Sequence, residues 1–456
     1  MKKPFEVREF DTIICNEDYK DDEKYRYLNR NDFDKLVAFI CEFEGEEGAD
    51  ALEFMKIGYR RNVGEVVSVR NYVGLIQMKN GFQIQVLPKI ALGEKDEENA
   101  KTKKVFLRML CSMKKFPGKV VNDASLKTER MNLYELFIHM YLQEVRKLVK
   151  RGIKSDYVER EDNLRYYKGK FLVNKHIRKN IVHRERFYVS YEEFHSNKAE
   201  NRLIKATLIK LQKLTSSGEN SREIRQLLTA FEMVETSVHY ARDFSQVVIN
   251  RSTKMYEVLM QWSKIFLMNK SFSTFSGSAN ARALLFPMET VYESYVAQQM
   301  KKVMSPYGWE VSSQDKEYYL FTEPKRQFAL KPDLVMKKND RVVVLDTKWK
   351  NLVDNEKINY GISQSDMYQM YAYSKKYKTS EIWLLYPVND EMRDHAPIRL
   401  ESGDNMIDTI VNLHFIEVDT NSTGTPNASP TTNPIIASLH LFLKSFMYII
   451  SPCLIL

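Results

Sequence analysis

The sequence predicts an α+β or α/β chain of several domains, and three observations lead there. Its 456 residues suit two or three domains of about 100–200 residues each. The apolar pattern changes along the chain, from short alternating runs to helical spacing, and then to two apolar runs flanking a polar turn. With 43% hydrophobic and 28% charged residues the composition is globular, which excludes wholesale disorder, collagen-like chains and coiled coils. On this reading residues 1–125 form a β-rich N-terminal domain and residues 126–265 a basic, mainly helical region. Residues 266–420 form a third domain, and 421–456 a polar linker with an apolar tail.

In the first domain the spacing predicts a helix from Asp32 to Phe43. Alternation predicts strands over Val63–Arg70, Val73–Met78 and Phe82–Val86, the last two joined as a hairpin by a Lys79-Asn80-Gly81 turn. The acidic run Glu42 to Glu47 between helix and strands reads as a solvated loop.

The middle region opens on an amphipathic stretch, Leu133–Val149. Further on, Asn197-x-x-Glu200 has the form of a capping box, followed by Leu203, Ile204, Leu208, Leu211 and Leu214 at helical spacing. Charge gathers here. Residues 141–216 carry 19 Lys or Arg against 9 Asp or Glu, a local net of +10 where the whole chain has +9. Aromatic residues interleave in Arg165-Tyr166-Tyr167-Lys168 and in Arg184 to Tyr188, a pattern that suits phosphate contacts beside stacking surfaces and equally an ordinary charged helical face. The overall balance, with a sequence pI near 9.0, favours a polyanionic partner.

No Gly-x-x-x-x-Gly-Lys-Ser/Thr occurs, so any nucleotide hydrolysis falls to another chain. Cys15, Cys41, Cys111 and Cys453 lie far apart without zinc-ligand spacing, which suits a reducing cytoplasm. The charged start of the chain lacks the apolar run of a signal peptide. The tail from Ile435 to Leu456 reaches the length of a membrane span, but Lys444 and Pro452 weigh against one; a docked amphipathic helix and an aberrant terminus are the alternatives.

The stretch with chemical content is Leu330 to Lys348, two apolar runs around Asn339-Asp340, which reads as a β-hairpin. Counting outward from a two-residue turn at Asn339 and Asp340 sets Asp333 opposite Asp346, and Lys348 shares the face of Asp346. Two carboxylates held that close repel unless a cation lies between them, and Mg²⁺, which takes a few carboxylate oxygens plus water and phosphate, removes the penalty. An ammonium beside them can stabilise charge developing on a phosphate, so the set fits phosphodiester hydrolysis.

Pro332-Asp333 followed by Asp346-Thr347-Lys348 resembles the signature of the PD-(D/E)xK nuclease superfamily. That resemblance implies a restriction-endonuclease-like domain over 266–420, with a mixed central sheet flanked by helices. It makes Asp333, Asp346 and Lys348 catalytic and Asp333 and Asp346 metal ligands. Glu293, on a helix opened by Pro287, resembles the superfamily's upstream acidic residue and becomes a third ligand. Gln369-x-x-x-Tyr373 is similar to the extra motif of RecB-like nucleases, whose Gln and Tyr line the site.

The blocks Gly81 to Ile90, Tyr167 to Phe171, Asn201 to Ala206 and Phe286 to Glu293 follow the order found in the McrC family, the nuclease subunit of McrBC restriction systems, over roughly residues 55–420. This resemblance implies a Mg²⁺-dependent DNA endonuclease subunit that cuts modified or foreign double-stranded DNA. It would stimulate a McrB-like AAA+ GTPase, with GTP bound by that partner and residues 1–125 contacting it. Rival readings are a stand-alone RecB/Cas4-like nuclease and a non-catalytic DNA-binding adaptor of an AAA+ motor. The Pro-Lys-Ile and Asn-Arg-Leu blocks also have a structural reading, as a strand end and a helix start.

Overall fold

A computed structural model describes residues 4–44, 54–78, 82–90, 95–113, 116–117, 133–268, 281–389, 391–393, 395, 398–404 and 408–416. The Lys79-Asn80-Gly81 turn, the end of the acidic run at 45–47, and the linker and tail from 421 lie outside the described residues. The fold is mixed α/β, with several sheets and helices distributed over two units, Tyr134–Lys270 and Lys2–Leu133 with Ser271–Leu456.

In the unit built from both ends of the chain, Phe5–Arg8 runs parallel to Gln83–Leu87, which pairs antiparallel with Tyr72–Met78. The fourth strand comes from far along the sequence: Ala281–Pro287 pairs antiparallel with Tyr72–Met78, Leu285 opposite Gly74. Gly74 has φ 144°, and a Cβ there would lie 2.0 Å from the Leu284 carbonyl oxygen, so the close approach of these strands requires glycine. A second sheet orders Tyr25–Tyr27, Thr12–Ile14, Gly64–Val69 and Met55–Arg60. The predicted helix is Arg30–Glu44, and it buries Phe33, Leu36, Phe39 and Ile40 in one core with Val7, Ile13, Val67, Ile76 and Ile84.

The same unit holds a six-stranded mixed sheet in the order Glu310–Ser313, Leu334–Lys338, Arg341–Thr347, Glu381–Pro387, Ile410–Ile416, Ile398–Glu401. The central pairs are parallel, and both edges are antiparallel. Helix Gln364–Tyr377 lays Met370, Tyr373 and Tyr377 on Val335, Val344, Ile382 and Leu384, a buried face whose removal from water holds helix to sheet. Helix Met288–Met304 packs on Glu310–Ser313 and Arg341–Thr347. Pro287 occupies its N-cap position, one residue before the expected first turn.

The unit Tyr134–Lys270 is less helical than its sequence suggests. Asp156–Leu164 and Phe187–His195 form a fully paired antiparallel ladder, with Lys170–Phe171 added at one edge. Most described side chains of Asp156–Leu164 are exposed, so no alternating apolar signal marks the strand and its pairing alone defines it. The capping box does not form. The helix runs Ala199–Leu214 with Lys198 at the N-cap, and Asn197 Oδ1 accepts the Glu235 N–H at 3.1 Å instead. Buried Asn201 does the ordering at this helix start: its amide donates to the Lys154 and Ser196 carbonyls at 2.9 and 2.7 Å, and its Oδ1 accepts from Tyr256 Oη at 2.9 Å. Arg202 is paired to Asp243 at 2.7 Å.

Candidate active site

The hairpin has the expected register. Lys338 pairs with Arg341 and Leu334 with Leu345, so Asn339 and Asp340 are the two turn residues, and Asn339 takes the left-handed φ of 52° that such a turn requires. Asp333 lies just before the paired strand, in line with Asp346 opposite. Along Arg341–Thr347, Val344 and Asp346 share the face that meets helix Gln364–Tyr377, and the ladder runs on through the Lys348 N–H, which donates to Leu385 O at 2.9 Å. The alternation that buries Val344 therefore delivers Asp346 and Lys348 to that helix.

There the side chains meet. Lys348 Nζ lies 2.7 Å from Asp346 Oδ2 and donates to Gln369 Oε1 at 3.1 Å, while Gln369 Nε2 donates to Tyr373 Oη at 2.8 Å. Asp333 Oδ2 accepts the Thr347 N–H at 2.8 Å and the Thr347 hydroxyl at 2.7 Å. Burial, then the charge of Asp333, pushes the Asp346 carboxyl up to about 7, with Lys348 offsetting part of the effect. Burial also raises Asp333, against the hydrogen bonds from Thr347. Burial pulls the Lys348 ammonium down, but the charge and hydrogen bond of Asp346, with the charges of Asp366 and Asp333, together outweigh it and the net shift is upward.

Five of the six site residues read from the sequence, Asp333, Asp346, Lys348, Gln369 and Tyr373, belong to this one connected cluster. The sixth, Glu293, accepts from Gln314 Nε2, and the Gln314 backbone N–H donates to the Asp333 carbonyl at 3.0 Å. Glu293 is thus linked to the cluster through Gln314, and among the described residues no group of three or more His, Cys, Asp and Glu converges as a metal site. The Asp333 and Asp346 pair nonetheless fits a hard divalent cation. Both are oxygen donors, and the Asp333 charge that adds to burial in raising Asp346 is a penalty a cation removes.

Two further acids come from the structure. Asp366, in the first turn of its helix, is buried with Oδ1 3.5 Å from Lys348 Nζ and Oδ2 3.0 Å from Lys350 Nζ. Burial pushes Asp366 up, but Ser363 and the two lysines outweigh it and hold it below the usual carboxylate range. Its signal was legible as Ser363-x-x-Asp366 at a helix start, with the Ser363 hydroxyl accepting the Asp366 N–H. Glu9, fully buried, accepts the Trp349 indole N–H on both oxygens at 3.2 and 3.1 Å and the Lys89 N–H at 3.1 Å. Burial pushes Glu9 up to about 8. Nothing in the sequence joins Glu9 to the residue after Lys348, whereas the Lys89 contact agrees with the structural reading of the Pro-Lys-Ile block as a strand end.

No helix among the described residues is long and apolar enough to cross a membrane. No curated protein matches the chain. A family profile described as McrBC 5-methylcytosine restriction system component matches residues 67–387. Among solved structures, the chain is similar to one in the refined half-complex from the tetradecameric assembly of Thermococcus gammatolerans McrB AAA+ hexamers with bound McrC. The identity is 21%, over 97% of this chain and 100% of that chain, with a TM-score of 0.70, which establishes a shared fold. A chain of the Thermococcus gammatolerans McrBC complex matches at 19% identity over 66% of this chain and 88% of that one, TM-score 0.49. With most of its length covered by the family profile, this chain belongs to the McrBC 5-methylcytosine restriction system component family.

Proposed function

We propose that this chain is the DNA endonuclease subunit of a GTP-dependent McrBC-type restriction system in the cytoplasm, hydrolysing phosphodiester bonds of modified or foreign double-stranded DNA with Mg²⁺. The observation that carries the reading is the cluster in which Asp333, Asp346 and Lys348 meet the Gln369–Tyr373 pair. It is the residue set of a PD-(D/E)xK site. Family membership supports it, as does the fold shared with a chain from an assembly of McrB AAA+ hexamers with bound McrC. The partner in this reading is a McrB-like AAA+ GTPase that binds the GTP and is stimulated by this chain, in keeping with the missing P-loop.

Asp333 and Asp346 would hold the Mg²⁺, with Glu293, joined to the Asp333 carbonyl through Gln314, as the third carboxylate. A bound Mg²⁺ supplies polarisation of the scissile phosphate and a lowered pKa for a coordinated water. Lys348 places its ammonium where negative charge builds on the phosphate, and Gln369 and Tyr373 fix its direction. Asp346→Asn, assayed for plasmid cleavage with partner, GTP and Mg²⁺, is expected to lose at least about a hundredfold in rate; undiminished cutting ends the proposal. Cleavage by the purified chain without partner or GTP would favour the RecB/Cas4-like reading. Normal restriction in cells after Asp333→Ala would favour the adaptor.

A further inference from the structure

Lys348 has two carboxylate seats. Its Nζ is 2.7 Å from Asp346 Oδ2 and 3.5 Å from Asp366 Oδ1, and Gln369 Oε1, 3.1 Å away, also accepts from it. A cation held by Asp346 would compete with the ammonium for that carboxylate, and a buried ammonium driven off one carboxylate needs another. Asp366 is suited to receive it. It is buried, it stands on the first turn of helix Gln364–Tyr377 with its backbone held by Ser363, and its other oxygen is held by Lys350 at 3.0 Å. An acid near a helix N-terminus is also favoured by the helix dipole, which keeps it ionised.

We propose that Asp366 is a positioning residue that holds Lys348 when a divalent cation occupies Asp346, and so sets the affinity of the site for that cation. The inference rests on the reading of Asp346 as a cation-binding carboxylate. Nothing covalent changes: one ion pair, Lys348 with Asp346, is exchanged for another, Lys348 with Asp366. Gln369, whose Oε1 accepts from the ammonium at 3.1 Å, would tether Lys348 through the exchange.

The test is Mn²⁺ binding to the full-length chain, followed by the electron paramagnetic resonance of free Mn²⁺, without DNA, partner or nucleotide. Asp366→Asn should weaken binding about tenfold, the lower end of what outer-sphere partners contribute to metal affinity. Asp366→Glu, which keeps the carboxylate, should restore most of it. Lys348→Met removes the competitor, so it should tighten binding, and in that background Asp366→Asn should have little further effect. A tenfold weakening that persists without Lys348 means that Asp366 acts on the cation directly, and overturns the inference. Unchanged affinity in Asp366→Asn overturns it as well. Should Asp366→Asn fail to fold, Lys348→Met alone decides, because no tightening there refutes the competition. Equal Mn²⁺ binding by Asp346→Asn and the parent refutes instead the assignment of Asp346, on which the inference depends.

Discussion

Glu9 is a buried acid whose carboxyl oxygens accept from the Trp349 indole N–H and the Lys89 backbone N–H. Burial pushes it from 4.5 to about 8, so the folded protein keeps its proton across a range in which the unfolded chain has released it. A raised carboxyl binds more protons folded than unfolded between those values, so stability falls as pH rises through the interval and the loss is complete above the folded value. At about 1.4 kcal/mol per pH unit, the decline due to Glu9 between pH 5 and pH 8 comes to about 3 kcal/mol. Glu9→Gln keeps an acceptor for Trp349 and Lys89 and removes the titration. Urea unfolding followed by tryptophan fluorescence at several pH values should show the parent losing stability relative to Glu9→Gln by that amount. Parallel curves for the two proteins from pH 5 to pH 8 would falsify the claim that Glu9 is buried as the acid.

Gly74→Ala places a methyl group against the Leu284 carbonyl at a φ alanine does not tolerate, and should cost at least about 3 kcal/mol. Urea midpoints check this, and a parent-like value would mean that the strands of residues 72–78 and 281–287 do not approach as described. Asn201→Ala leaves the Lys154 and Ser196 carbonyls and the Tyr256 hydroxyl without this partner and should cost about 2–4 kcal/mol. Hydrogen exchange should place the loss in residues 134–268; a change confined to other residues would refute the role given to Asn201.

How far the site could be read in advance differs residue by residue. Asp333, Asp346 and Lys348 were legible because a two-residue turn and the period of two along a strand are local rules, and Asn339 obeys them in the structure. Gln369 and Tyr373 were legible because a helix sets residues four apart on one side. The strand Asp156–Leu164 was not legible, since a ladder exposed along most of its length leaves no apolar alternation to detect. Asn197 failed as a cap because the Glu235 N–H, 38 positions away, claimed its side-chain oxygen.

By itself the sequence determined the hairpin, its register and the helix that faces it, together with a resemblance to the McrBC family that the family profile bears out. Those features are written in short-range periodicity, where each residue's neighbours are given by counting. Only the tertiary structure decided that residues 281–287 complete a sheet begun by the N-terminal strands, that Glu9 grips Trp349 across 340 positions, and that Asp366 offers Lys348 a second carboxylate. Such contacts follow from which buried surfaces close on one another, and a burial that pushes an acid up to about 8 has no counterpart in the unfolded chain.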